Sequence, residues 1–437
     1  MALLLFLAVT ATLFVRPAEI ITDLAALPIY EWLIMACLAA SAGKIVPLLS
    51  REALISQPIT LGVVGMLAAV FLSHASHGDL WSARYDALEF SKMVIYYLLV
   101  VANVNSPSRL RLVLFWLLGC IAVLAVLALL QYHGVIHIQS LAALEYIEFD
   151  SVTEREYFVR RICGMGIFND PNDLSMMMVV GTALAVYFFF DPRVVLFKLP
   201  LAVVGAAFLY AVALTQSRGG LLALLAALGA LFQARYGWKK SLVLLAGLLP
   251  LIFLLVSGRQ SDLGDALSQG TGQSRIQLWS EGLQMLRANP FFGLGYYLFA
   301  GQAGQVAHNS YVQAFAELGF FGGTIFLGAW CWAVLIPYRL GQGGRLFADH
   351  ELCRLRPYLL AAVAGYAGGM GTLTRIDVVP TYLVLGLSSA YTGLAQTDPP
   401  LERVRLDGKL VVRSVQISVL FLAAIYLFVH VFARWSS

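Results

Sequence analysis

The chain has 437 residues, 60% of them hydrophobic and only 12% charged, with a formal net charge of +4 and a mean hydropathy of +0.79. Soluble domains carry about 25% charged residues, so a water-facing surface is excluded and lipid must cover the chain instead. The small charge, with no Lys/Arg cluster interleaved with aromatics, excludes a nucleic-acid partner.

In chain order, apolar runs fall near 2–15, 28–46, 58–73, 87–103, 110–131, 173–190, 197–215, 219–234, 241–257, 311–337, 357–372, 378–395 and 414–432. They are continuous rather than alternating, which favours helices over a barrel as the way to satisfy backbone polar groups in lipid. The expectation is an all-α polytopic membrane protein with 12 or 13 transmembrane helices, one integral domain over 1–437, without repeats. The first run starts without a basic lead and reads as a retained span, not a cleaved signal. The cysteines Cys37, Cys120, Cys163, Cys331 and Cys353 show no metal or disulfide spacing.

The short loops Lys44–Arg51, Arg109–Arg111, Arg193–Lys198, Arg235–Lys240, Arg339–Arg356 and Arg403–Arg413 are all basic. Counting the spans in order puts all of them on one side, which the positive-inside rule makes cytoplasmic. The outer side then receives two long polar loops, about 132–172 and 258–310, and short turns at Thr215–Arg218 and Thr374–Asp377. Functional residues are expected there.

In the first outer loop, Asp170 to Asp173 read as a helix start, with Pro171 between Asx residues. That leaves the pair Arg160 and Arg161, which can face Glu145, Glu148, Glu154 and Glu156 or an external anion. Arg218 sits at the mouth of a span within Thr215-Gln216-Ser217-Arg218-Gly219-Gly220. Snorkelling to the headgroups is the plain reading. The two glycines, however, let another backbone or a ligand come close.

The second outer loop opens with a flexible lead-in, Gly270-Thr271-Gly272-Gln273. Ser274 and Gln277 then read as a capping box, and Ile276, Trp279, Leu283 and Leu286 as the apolar stripe of a surface helix. Asn289-Pro290 stops it, and Gly293 and Gly295 make a turn. Arg275 falls in the first turn, where a guanidinium and free N–H groups can hold an anion; otherwise it is a surface charge.

His308 opens the next span. Gly319 lies eleven residues on, about three turns away on the same face of a continuous helix. A lone histidine is more often structural, yet its ordinary pKa suits proton transfer at neutral pH. Arg218, Arg275 and one of Arg160 and Arg161 can thus converge on a phosphate group with His308 as base. No metal-ligand cluster or Walker loop is present. Guanidiniums can offset the charge of a pyrophosphate leaving group without metal or other cofactor.

Three pieces resemble the O-antigen ligase and polymerase superfamily of bacterial envelope glycosyltransferases. They are Arg218-x-x-x-Leu222; His308-Asn-Ser-Tyr through Glu317-Leu-Gly319; and Ser274-Arg275-Ile276-x-x-Trp279 through Pro290-Phe-Phe-Gly293-Leu-Gly295. The resemblance implies a GT-C-like, inverting, metal-independent enzyme of the bacterial inner membrane with its site facing the periplasm. Its donor would be a glycan on undecaprenyl pyrophosphate. Arg218 and Arg275 would bind the diphosphate, with Arg161 as a third group, and His308 would activate the acceptor hydroxyl. A ligase, transferring to lipid A–core, is slightly favoured over a polymerase of lipid-linked repeats or a protein O-oligosaccharyltransferase. The rival from another class is a transporter or flippase of lipid-linked glycans. It would carry midplane charges and repeat symmetry; the nearest candidates, Lys44, Glu89 and Lys92, lie close to span ends.

Overall fold

Proline and Asx residues decide where the helices of this chain begin. Pro58, Pro107, Pro171 and Pro380 stand in first turns, where the missing N–H costs nothing. The side chains of Asp79, Asp170 and Asp407 accept the free N–H groups of Ser82, Asn172 and Leu410. The computed structural model describes residues 1–24, 27–150, 155–255, 271–400 and 404–433.

Among the described residues, nine helices are long and apolar enough to cross a membrane: Ala2–Ile20, Ile29–Leu48, Pro58–Ala75, Pro107–Tyr132, Pro171–Phe189, Pro192–Leu214, Arg218–Tyr236, Ser310–Leu340 and Gly408–Phe432. The other expected spans are helical as well. Leu80–Asn103 carries Arg84, Asp86, Glu89 and Lys92, His350–Gly369 opens on charged turns, and Val379–Leu394 has 16 residues. The run 241–257 forms the second half of the helix Arg218–Leu255, with 256–257 outside the described residues. The two halves are separated at Gly237, whose φ of 76° and ψ of 170° interrupt the helix. The chain folds back there, so that Leu248 packs against Leu221 and Leu245 lies beside Gly229, and the expected loop at 235–240 is this tight reversal. The chain is an all-α polytopic membrane protein.

The described residues form two compact units. The first draws on Met1–Ala40, Ser108–Ser261 and Leu355–Gly369; the second on Ser41–Pro107, Asp262–Arg354 and Met370–Ser437. In the first unit, small residues let helices close on each other, as in many membrane interfaces. Gly181 faces Phe208 and Ile121, and Gly369 faces Met176 and Ala223. The fully buried Asp191 is paired with Arg111 at 2.6 Å. The stretch expected as a plain outer loop contains an antiparallel hairpin, Leu144–Asp150 with Arg155–Arg161, in which Leu144 pairs with Arg161. Its Tyr, Ile, Phe and Val residues are strand formers.

In the second unit, Pro58–Ala75 lies along Ser310–Leu340, with Gly62 against Ala329 and Ala69 against Gly322. The surface helix Thr271–Ala288 docks through Leu278 and Met285 onto Phe299, Ala307, Val312 and Ala316. The expected stripe is therefore shifted: Ile276 is buried, but Leu283 and Leu286 are only half-buried and line a groove. Gly270 of the expected lead-in lies outside the described residues, whereas Thr271, Gly272 and Gln273 are already helical.

The helix Ser310–Leu340 is broken at Gly319, with φ 66° and ψ −169°. In an unbroken helix the N–H groups of Phe320 and Phe321 would reach the carbonyls of Ala316 and Glu317. Here they donate to Pro290 and Phe291 instead, at 2.8 and 3.1 Å. The released carbonyls accept the N–H groups of Leu294 and Gly295, each at 3.0 Å. The segment Pro290–Gly295 thus substitutes for the missing helical bonds of Ala316, Glu317, Phe320 and Phe321. Gly293 and Gly319 permit this approach: a Cβ on either would collide with the backbone of the other strand of the junction.

Candidate functional site

The four residues selected from the sequence divide between the units: Arg161 and Arg218 lie in the first, Arg275 and His308 in the second.

In the first unit, the hairpin ends on Arg161, which is 7% exposed. Its Nε donates to the Thr215 carbonyl at 2.7 Å and its Nη2 to Asn172 Oδ1 at 3.3 Å. The same Asn172 oxygen accepts the Ser217 hydroxyl at 2.5 Å. Ser217 Oγ in turn accepts the Gly220 N–H at 2.9 Å, capping the helix that Arg218 opens. Arg161, Asn172 and Ser217 therefore form one latch around the turn that presents the half-buried Arg218. Each bond to the buried guanidinium contributes on the order of 1.5–3 kcal/mol. Gly220 lies against Ser175, the close approach expected of that glycine. Asp170 caps the following helix as the sequence indicates.

Arg160 points elsewhere. Its Nε pairs with Glu145 at 3.0 Å, and its guanidinium lies 4.8 Å from the Tyr132 ring centroid. Glu145 is thus its partner; Glu154 lies outside the described residues, as do the side chains of Glu148 and Glu156. Cys163 is buried beside this hairpin end, and burial pushes its thiol pKa up.

In the second unit, His308 is not the first residue of the helix. The cap is Asn309, whose Oδ1 accepts the N–H groups of Tyr311 and Val312. His308 precedes it with φ 48°, a left-handed backbone that costs a non-glycine residue on the order of 1–2 kcal/mol. Because His308 lies outside the helix and Gly319 breaks it, the two do not share a continuous helical face; that expectation is corrected.

Four bonds hold the backbone around His308. Ser310 N–H donates to the Met370 carbonyl at 2.9 Å, and Ser310 Oγ donates to Leu373 at 2.6 Å and accepts the Arg375 N–H at 2.9 Å. On the other side, Ala307 N–H donates to Gln313 Oε1 at 3.2 Å. The turn Met370–Arg375 also meets Arg275, whose Nη1 lies 3.5 Å from the Thr372 carbonyl, at the long limit of a hydrogen bond. Trp279, one turn beyond Arg275, donates its indole N–H to Ala307 at 2.9 Å. Arg275 and His308 are thus brought together on one turn. Arg275 lies in the second turn of its helix as described, not the first. Its backbone N–H is therefore spent within the helix, and any anion it holds is held by the guanidinium alone.

The turn is locked from a second direction. The Tyr297 hydroxyl donates to Asp377 Oδ2. Burial and the Asp377 charge raise the Tyr297 phenol above its ordinary range, so it keeps its proton as a donor. Sequence reasoning passed over this support: the backbone carbonyls of 370–373, the Tyr297–Asp377 contact, and the buried pair Gln313 and Glu317.

Residues 201–327 match the family model described as O-Antigen ligase. This segment, less than a third of the chain, is what is similar to that family. It encloses Arg218, Arg275, His308 and the broken-helix junction; Arg161 and the buttressing turn lie outside it. This segment supports an O-antigen ligase or polymerase type of enzyme, a class that acts on a lipid-linked glycan and a glycan acceptor. No curated protein matches the chain.

Proposed function

We propose that this protein transfers a glycan from undecaprenyl pyrophosphate to lipid A–core, at a site on the periplasmic face of the bacterial inner membrane. The observation that carries this reading is the turn Met370–Arg375, which meets the Arg275 guanidinium at Thr372 and holds Ser310, two residues after His308. Arg218 and Arg275 bind the diphosphate. Arg161, which latches the Arg218 turn, adds a third positive charge behind it. His308 takes the proton of the acceptor hydroxyl as its oxygen attacks the anomeric carbon. The bond to the diphosphate oxygen breaks on the opposite face, so the configuration inverts. Guanidiniums fixed before reaction offset the growing phosphate charge without a metal.

The polyprenyl tail has a place within the second unit. A groove of about 830 Å³ runs between Thr271–Ala288 and Gly408–Phe432, lined by Leu283, Leu286, Val419, Leu422 and Val429. It begins one turn beyond Trp279, whose ring also packs 5.7 Å from Phe428.

Two outcomes are expected. Arg218→Lys lowers kcat/KM for the donor by about tenfold or more, because a lysine cannot form the paired N–H fork and each bond to a charged group is worth on the order of 1.5–3 kcal/mol. Normal kinetics would show that Arg218 merely snorkels. EDTA leaves transfer intact; activity lost to EDTA and restored by added metal would contradict the arginine account.

The deciding assay uses purified protein in lipid with undecaprenyl-pyrophosphate glycan and lipid A–core, read by product mass. A single addition to lipid A–core marks a ligase. A ladder of lengthened lipid-linked glycan marks a polymerase, and no product marks a transporter.

A further inference from the structure

An acid stands in the middle of the apolar run that follows His308. Glu317 is 1% exposed and sits two residues before the helix break. Its Oε1 accepts the backbone N–H of Phe299 at 3.2 Å and the Gln313 side-chain amide N–H at 2.9 Å. The Gln313 carbonyl oxygen points the other way. It accepts the Ala307 N–H at 3.2 Å and the Thr374 hydroxyl at 2.8 Å.

A glutamine side chain can turn its amide over, exchanging donor and acceptor ends. The Glu317 oxygen takes the NH2 end of Gln313, and the Ala307 N–H, which can only donate, takes the carbonyl end. The carbonyl end thus faces Ala307, the residue before His308, and Thr374, on the turn that holds Ser310. The buried acid and the Ala307 N–H thereby fix, from opposite ends, the direction of a relay that reaches both sides of His308. His308 needs that support, because its left-handed backbone is unfavourable for a histidine.

We propose that Glu317 is a positioning residue: it orients Gln313, and Gln313 holds the backbone of His308 in its working conformation. The proposal rests on the reading of His308 as the base. Glu317 touches neither substrate nor the reacting atoms. Its contribution is to keep the imidazole within reach of the acceptor hydroxyl, where a misplacement of about 1 Å can cost on the order of 10²-fold in rate.

The experiment measures kcat and donor KM per folded protein for Glu317→Gln and Gln313→Met, each in the wild-type and in the His308→Asn background. Glu317→Gln keeps an acceptor for Phe299 but no longer dictates the Gln313 amide. Gln313→Met fills the same space and removes the relay. The expected result is a fall in kcat of about tenfold or more for either variant with donor KM within about twofold, as loss of positioning requires. The two together are no worse than the worse one alone, since they break one chain. In the His308→Asn background neither lowers the residual rate further.

Unchanged kcat for Glu317→Gln and Gln313→Met beside a strongly impaired His308→Asn would overturn the positioning proposal and leave the base in place. The same fold-loss in both backgrounds would also overturn it, because Glu317 would then act without His308. Full activity of His308→Asn alone would overturn the base, and the relay with it. If Glu317→Gln does not accumulate, Gln313→Met decides the question, as it leaves the buried acid unaltered.

Discussion

His308→Asn is expected to lower glycan transfer by about 10²–10⁴-fold, the usual worth of a positioned general base, while the protein still inserts and folds. Asparagine is the suitable replacement because the φ of 48° at this position is one that Asn tolerates better than Ala. The amide cannot take a proton at neutral pH, so the change removes the base and spares the backbone. Asn309, Ser310 and Gln313 keep their bonds, none of which uses the His308 side chain. Thermal unfolding in detergent should therefore stay near that of the wild type while product formation collapses. Full transfer by the Asn variant would remove His308 from the mechanism and leave it as the strained residue before the cap.

The architecture was legible in the sequence because lipid imposes one rule throughout: a continuous apolar run of spanning length forms a helix. Each of the thirteen runs forms a helix over most of its described length. The hairpin at 144–161 was less visible. Its apolar residues are mixed with Glu, Asp and Arg without a strict alternation, over only seven positions per strand, too short to stand out beside spans of twenty.

The site was legible as residue types but not as geometry. Arg218, Arg275 and His308 could be named because charges are rare in such a chain. Periodicity from His308 to Gly319 assumed a continuous helix, and that assumption failed at the glycine chosen as its marker. A hydrogen-bond ladder exchanged with a segment 22 to 30 residues away has no local signature. Glu317, by contrast, had a readable signal, an acid inside an apolar run. It was overlooked in favour of Glu89 and Lys92, which prove to be an exposed pair, 2.6 Å apart, one turn from each other.

The junction between Pro290–Gly295 and the broken helix sets the last expected result. Gly293→Ala should both destabilise the protein and abolish transfer. Two costs add there. The φ of 78° penalises any L side chain by about 1–2 kcal/mol. A Cβ would also run into the Glu317 carbonyl and the Gly319 nitrogen, backbone atoms that cannot rotate away, and such overpacking costs about 1–3 kcal/mol more. Gly134→Ala separates the two. Its φ is 72°, yet a Cβ there meets nothing within 4 Å, so it carries the first cost without the second. The Gly293 variant should lose clearly more thermal stability than the Gly134 variant. Its transfer rate should fall as well, since the displaced Glu317 backbone belongs to the helix whose Gln313 holds Ala307 beside His308. Equal losses in the two variants would mean that the junction yields to a methyl group. The helix break would then be a local turn, without a part in holding the histidine.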